Sequence, residues 1–183
     1  MAEQHRCLRD LPGIERVSVL LPYEKLTRSL IHALKYHGAK SLGEPLGAMM
    51  AERMLKEAAF ADGTLVVPVP LHPDKRGERG YNQCELLARG FAAACGLEVA
   101  SGLVERTRNT DTQTALDPES RKSNVQGAFR FTGAAGPESC RAVLVDDVLT
   151  TGSTILECAG ALRDGGFSSI SVCVVATPAM HDS

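Results

Sequence analysis

The chain has 183 residues, of which 44% are hydrophobic and 23% charged, and its 20 bases and 22 acids leave a formal charge of −2. That length suits one domain able to bury a core without disulfide support, and the apolar content excludes a wholly disordered chain. The charge balance excludes a broadly basic surface, so an anion site has to be a local cluster.

Taken in chain order, residues 1–15 are polar and irregular and lack the apolar middle of a signal peptide. RVSVLL (16–21) predicts a strand. Leu26, Leu30, Ala33 and Leu34 recur at helical spacing, which predicts a helix over Tyr23–Tyr36 stopped by Gly38. Leu42–Phe60 predicts a second helix with Leu46, Met49, Met50 and Leu55 on its apolar side and Pro45 in its first turn. Thr64–Val69 is a β-branched run that ends in PLHPDKRGERGYNQ, read as a loop. A helix follows over Asn82–Cys95, ended by Gly96, and residues 97–105 hold one or two short strands. RTRNTDTQTALDPESRKSNVQ (106–126) has no apolar period, and a polar loop of that length is read as functional or disordered. Ala128–Phe131 predicts a strand, Ala142–Val145 a strand covered on both faces, Ser153–Asp164 a helix stopped by Gly165 and Gly166, and Ile170–Ala176 a last strand. This rhythm predicts an α/β fold with a central, mostly parallel sheet flanked by helices. No apolar run approaches the length of a membrane span, so a cytoplasmic protein is expected.

The six cysteines, Cys7, Cys84, Cys95, Cys140, Cys158 and Cys173, form no CxxC pair and are read as free thiols. His5 and Cys7 are too few ligands for zinc.

The segment VLVDDVLTTGST carries the strongest chemical signal. Two carboxylates close a buried strand, a small-residue loop follows, and a helix starts. A helix N-terminus offers unpaired N–H groups and partial positive charge to a phosphate. Thr150, Thr151, Ser153 and Thr154 add hydroxyl donors, and Gly152 permits close backbone approach. Asp146 and Asp147 suit vicinal sugar hydroxyls, or water held on a divalent cation. Simple helix capping needs one such hydroxyl, not four, and no acid pair. There is no GK[ST] and no GxGxxG, which excludes a Walker-type loop and disfavours a dinucleotide fold.

Lys75, Arg76 and Arg79 cluster after a strand end and suit a pyrophosphate, although Asp74 and Glu78 offset part of the charge. Asn82 and Gln83 are placed to cap the next helix, and for Asn82 ligand binding is an equal reading. Arg106, Arg108, Arg121 and Lys122 lie in the long polar loop, with Arg121 the first choice among them for ligand contact. His72 adjoins the basic segment as a weaker candidate, while His32 and His37 read as surface or packing groups.

The run Val143–Thr154 resembles the phosphoribosyl-diphosphate signature of type I phosphoribosyltransferases. More of the chain resembles the ComF family of competence-associated proteins. LIHALKYHG (30–38), VPVPLHP (67–73), RGYNQCELLA (79–88), RTRNTDTQT (106–114), RKSNVQGAF (121–129) and VLVDDVLTTGST match in order and cover most of the chain. The resemblance implies a type I phosphoribosyltransferase fold with residues 16–183 as one domain: 16–60 the helical part and hood, 61–183 the core, and 1–15 a remnant. It implies that Leu149–Thr154 holds the 5′-phosphate, that Asp146 and Asp147 meet the ribose hydroxyls, and that Lys75, Arg76 and Arg79 take the pyrophosphate. Residues 106–126 would form a mobile hood loop carrying Arg106, Arg108, Arg121 and Lys122. Tyr23, Lys35 and Tyr36 match the family pattern in the region that covers the base, which implies contact with an acceptor, while core and surface packing are the favoured roles.

Mg²⁺ would travel with the diphosphate, bound through ligand or water to Asp146 and Asp147. Many family members begin with a zinc ribbon; this chain keeps only Cys7 there, so no zinc is expected. The implied reaction is transfer of the phosphoribosyl group to an unidentified acceptor, with pyrophosphate released. Thr150 stands where 6-oxopurine salvage enzymes usually carry an acid, which argues against that acceptor. The alternative is a non-catalytic nucleotide-binding or accessory protein in DNA uptake, with a competence helicase as partner. Only three Tyr, five Phe and no Trp speak against a broad single-strand DNA platform. A homodimer is left open.

Overall fold

The computed structural model of the chain describes residues 11–108, 127–133 and 140–178. Its centre is a five-stranded parallel sheet in the order β1-β7-β6-β2-β3. The strands are β1 (Arg16–Pro22), β2 (Thr64–Pro68), β3 (Glu98–Val99), β6 (Cys140–Val148) and β7 (Phe167–Thr177). Strands β4 (Val104–Arg106) and β5 (Phe129–Phe131) form a separate antiparallel pair.

Alternation along the central strands builds two cores, because successive side chains leave opposite faces of a sheet. Ala142 and Leu144 of β6 join Ile170, Val172 and Val174 of β7 on one face, under Ile155, Cys158 and Leu162 of helix α5 (Ser153–Asp164). Val143, Val145, Cys173 and Val175 face the other way. They pack with Met50 and Met54 of α2 (Gly43–Leu55) and with Leu87 and Phe91 of α4 (Gln83–Cys95). Ile31 and Leu34 of α1 (Lys25–Tyr36) join that second layer.

The α/β class and the parallel sheet match the expectation, with local differences in bounds; β7, for one, starts at Phe167 rather than Ile170. The predicted helix Leu42–Phe60 ends at Leu55. Phe60, beyond its end, sets its ring edge-on to Phe91, with centroids 5.7 Å apart. The segment read as a loop contains a helix, α3 (Pro73–Arg79). His72 caps it by accepting the Asp74 N–H at 3.3 Å, Pro73 starts it, and Gly80 ends it at φ 77°. Strand β6 runs past Val145 to Val148, because its ladder with β7 continues to Val148 opposite Ala176. Both acids of the pair are therefore strand residues.

Among the described residues no helix is long and apolar enough to cross a membrane. The five described cysteines are free. Burial pushes the Cys84 and Cys158 thiols well up and that of Cys173 up to about 12. Native alkylation at pH 8, followed by peptide mass mapping, should therefore label the half-buried Cys95 and Cys140 before those three. Early labelling of Cys84 would contradict its burial.

Candidate functional site

Strands β2 and β6 are parallel neighbours, with Pro68 opposite Val145, so the segments that follow them leave the same edge of the sheet. Val69 N–H donates to the Val145 carbonyl at 3.0 Å and extends the pairing. In open parallel sheets this carboxyl edge is where ligands bind. It brings α3 and the N-terminus of α4 beside the acid pair.

Adjacent residues of a strand face opposite ways, so Asp146 and Asp147 have different surroundings. Asp147 is 3% exposed, with both carboxylate oxygens engaged. Oδ1 lies 2.7 Å from the Lys35 ammonium, and Oδ2 accepts from Gln83 Nε2 at 2.6 Å. Asp146 is 9% exposed. Its Oδ1 accepts from the Asp147 N–H at 2.8 Å and from the Cys84 thiol at 3.2 Å. Burial and the neighbouring Asp147 carboxylate push Asp146 up to about 7, against the pull of Lys35. Burial works to lower the Lys35 ammonium, but Asp147 and Asp146 together outweigh it and hold that group above its ordinary value.

The loop after β6 is tethered at its start. Leu149 is buried; its N–H donates to the Ala176 carbonyl at 3.0 Å and its carbonyl accepts from Thr177 Oγ1 at 2.8 Å. These bonds make Leu149 the anchor of the loop. Thr150 is exposed, and Thr151 and Ser153 share a hydroxyl hydrogen bond of 2.9 Å. Gly152 sits at φ 78° immediately before α5, and a Cβ there would meet Leu11 Cδ2 at 2.6 Å. A side chain at this position is thus opposed by both backbone strain and the chain packed over it.

Two of the three bases on α3 are held by α4. Arg76 makes a two-pronged ion pair with Glu85, at 2.7 and 3.2 Å. Arg79 donates to Gln83 Oε1 and lies over the Tyr36 ring, 5.2 Å from its centroid. Lys75 is half-buried on the same short helix. Arg106 lies at the end of β4 with its guanidinium 5.4 Å over the Phe129 ring, and desolvation lowers it from its ordinary value. Arg108 is exposed. Arg121 and Lys122, with most of the expected hood loop, lie outside the described residues.

Comparison with known proteins decides the family. The chain is 31% identical over 170 residues to the DNA utilization protein YhgH of Salmonella typhi, covering 91% of this chain and 74% of that protein. It is 32% identical to YhgH of Escherichia coli K12 over the same shares, and 29% identical to competence protein F of Haemophilus influenzae. The chain belongs to the ComF family. No family model matches this ComF protein. Among solved structures it is similar to the glutamine phosphoribosylpyrophosphate amidotransferase of B. subtilis. The TM-score is 0.45 and the identity 24%, over 73% of this chain and 26% of that one. It is also similar to a hypoxanthine-guanine phosphoribosyltransferase of Bacillus anthracis, with TM-score 0.46 and 8% identity over 79% and 76% of the two chains.

Within this ComF protein the acid pair acquires three partners that sequence reasoning had given other work. Lys35 reads as a packing residue; the structure sets it against Asp147. Asn82 does cap α4, accepting the Cys84 N–H at 3.0 Å and donating to the Val69 carbonyl at 3.0 Å. Gln83, beside it, turns instead to Asp147 and Arg79. Cys84 is the buried free thiol expected, and also a hydrogen-bond donor to Asp146. The presence of Lys35 in LIHALKYHG was the one available signal; no local pattern connects α1 with β6.

Proposed function

We propose that this protein binds phosphoribosyl diphosphate with Mg²⁺ and transfers the phosphoribosyl group to an acceptor, releasing pyrophosphate. One observation carries the reading. The buried acid pair, the hydroxyl-rich turn before α5 and the bases of α3 all lie at the carboxyl edge of adjacent strands β2 and β6. An acid pair for a sugar, flanked by a helix N-terminus for one phosphate and bases for a diphosphate, matches that ligand's three parts.

In this reaction the acceptor lone pair forms a bond to the anomeric carbon. The anomeric C–O bond breaks with its electrons leaving on pyrophosphate, and the acceptor's proton passes to pyrophosphate or solvent. The protein's part is to orient the sugar and to stabilise the departing charge. Arg76 and Arg79 would exchange Glu85 and Gln83 for the diphosphate. Among the described residues, donor atoms of Cys84, Asp146 and Asp147 lie within 4.8 Å of one another. Carboxylate oxygens suit Mg²⁺ and the thiol does not, while Lys35 already neutralises Asp147. The donor set fits an ion held chiefly by its own ligand, with Asp146 and Asp147 contributing through water. Bound there, Mg²⁺ would offset charge building on the diphosphate. A cytoplasmic location accompanies this reading.

The names of the relatives favour one other reading: a nucleotide-binding accessory protein in DNA use, acting with a competence helicase. Calorimetric titration with phosphoribosyl diphosphate, with and without Mg²⁺, tests both. Wild type should bind only with Mg²⁺. Asp146→Asn should weaken binding ~10- to 100-fold, the cost of losing a hydrogen bond to a charged group. Pyrophosphate release on screening amines and nucleobases would establish turnover. Failure of the folded wild type to bind would leave the accessory role.

A further inference from the structure

We propose that Lys35 is a positioning residue: with Gln83 it clamps Asp147 from both sides, so that Asp146 alone presents a carboxylate oxygen to the sugar. This rests on the phosphoribosyl reading above and departs from it in making the two acids unequal.

Asp147 has a cation or donor on each of its oxygens. Oδ1 faces the Lys35 ammonium and Oδ2 accepts from Gln83. Its neighbour is arranged differently: Asp146 Oδ1 takes two donors, and no hydrogen bond among the described residues engages Oδ2. Asp146 is also the more exposed of the two, at 9% against 3%.

The clamp is closed on itself. Lys35 reaches Asp147; Asp147 accepts from Gln83; Gln83 accepts from Arg79; Arg79 lies on Tyr36, the residue after Lys35. Opposite charges at its two ends fix the Gln83 amide, with its NH₂ toward the carboxylate and its oxygen toward the guanidinium. The Tyr81 hydroxyl donates to the Leu34 carbonyl and pins α1 beside this circuit. Four elements (α1, α3, α4 and β6) thus hold one carboxylate in one orientation. A residue held in this way can fix the direction of its strand neighbour through the shared backbone, since Asp147 N–H is itself a donor to Asp146.

The test is a double-mutant cycle on the full chain, read by calorimetry with Mg²⁺ and three probes: phosphoribosyl diphosphate, ribose 5-phosphate and inorganic pyrophosphate. Lys35→Met and Asp147→Asn should each weaken both sugar-containing probes ~10-fold, and the double variant should be no weaker than either, because interacting residues are not additive. Pyrophosphate affinity should stay within ~2-fold, whereas a general loss of structure would lower all three. Lys35→Arg should recover most of the loss. Gln83→Met, which keeps the ion pair but also frees Arg79, should reproduce the loss of ribose 5-phosphate affinity if Lys35→Met folds poorly.

Additive losses from Lys35→Met and Asp147→Asn would overturn the proposal, since Lys35 would then touch the ligand itself. An unchanged Lys35→Met would overturn it equally. In both cases wild-type binding would leave the phosphoribosyl reading standing. Failure of the folded wild type to bind any probe would overturn the two together.

Discussion

Asp146→Asn is expected to raise the melting temperature at pH 8 while weakening ligand binding. In the fold Asp146 titrates at about 7, driven up by burial and by Asp147. In the unfolded chain an aspartate titrates near ~4. Between those values the unfolded chain has released its proton and the native protein has not, so the native state binds more protons. Stability therefore falls as pH rises through this window, and the whole cost is present above pH ~7. A shift of that size corresponds to ~4 kcal/mol. Asparagine keeps the acceptor used by Asp147 N–H and the Cys84 thiol, and carries no charge to desolvate. At ~2–4 °C per kcal/mol for a chain of this size, the variant should melt ~8–16 °C higher at pH 8 and show little gain at pH 4. Scanning calorimetry of both proteins at the two pH values measures it. Equal differences at both would show that the carboxylate is not destabilised by its site. If found, the gain identifies Asp146 as a group kept for ligand binding at a cost in stability.

A comparable effect of opposite sign is expected where α2 crosses α4. A Cβ added at Gly90 would lie 1.9 Å from the Glu44 carbonyl oxygen, and one at Gly47 would lie 2.0 Å from that of Leu87. These are backbone atoms of the partner helix, so no side-chain rotation relieves the clash. Alanine in a helix gains ~1 kcal/mol over glycine. Overpacking costs ~1–3 kcal/mol and more where nothing yields. The clash wins, because separating the helices also opens the layer holding Met50, Met54, Leu87 and Phe91. Gly90→Ala should lower stability by ~3 kcal/mol, or ~6–12 °C in melting temperature. Gly160→Ala is the control: Gly160 lies in α5 with nothing within 4 Å of the added Cβ, so the same substitution should stabilise. A neutral Gly90→Ala would show that the two helices are free to part.

Both predictions turn on contacts between elements. The elements themselves were mostly legible along the chain. Runs of β-branched and apolar residues marked β2, β6 and β7, and Ser153–Asp164 was readable as a helix stopped by Gly165 and Gly166. Helix α3 was hidden. Seven residues containing an internal glycine and flanked by prolines and glycines carry little helical signal, and its cap is a histidine rather than the usual hydroxyl or carboxamide. The end of β6 was legible in part: the acid pair was placed at the close of a buried strand, and pairing with β7 carries that strand on to Val148.

The sequence by itself determined the residue types of the site: an acid pair, a small hydroxyl-rich turn before a helix, and a short basic segment after a strand. Those are local patterns, and local patterns follow from backbone sterics and apolar periodicity. Tertiary structure alone decided that β2 and β6 lie side by side, which unites the two segments. It also decided that Lys35 and Gln83 close on Asp147 while, among the described residues, Asp146 is engaged through Oδ1 alone. The reason is physical. Buried carboxylates take whatever donors the packed helices bring to them, and which helix face meets which strand end is set by packing over the whole sheet.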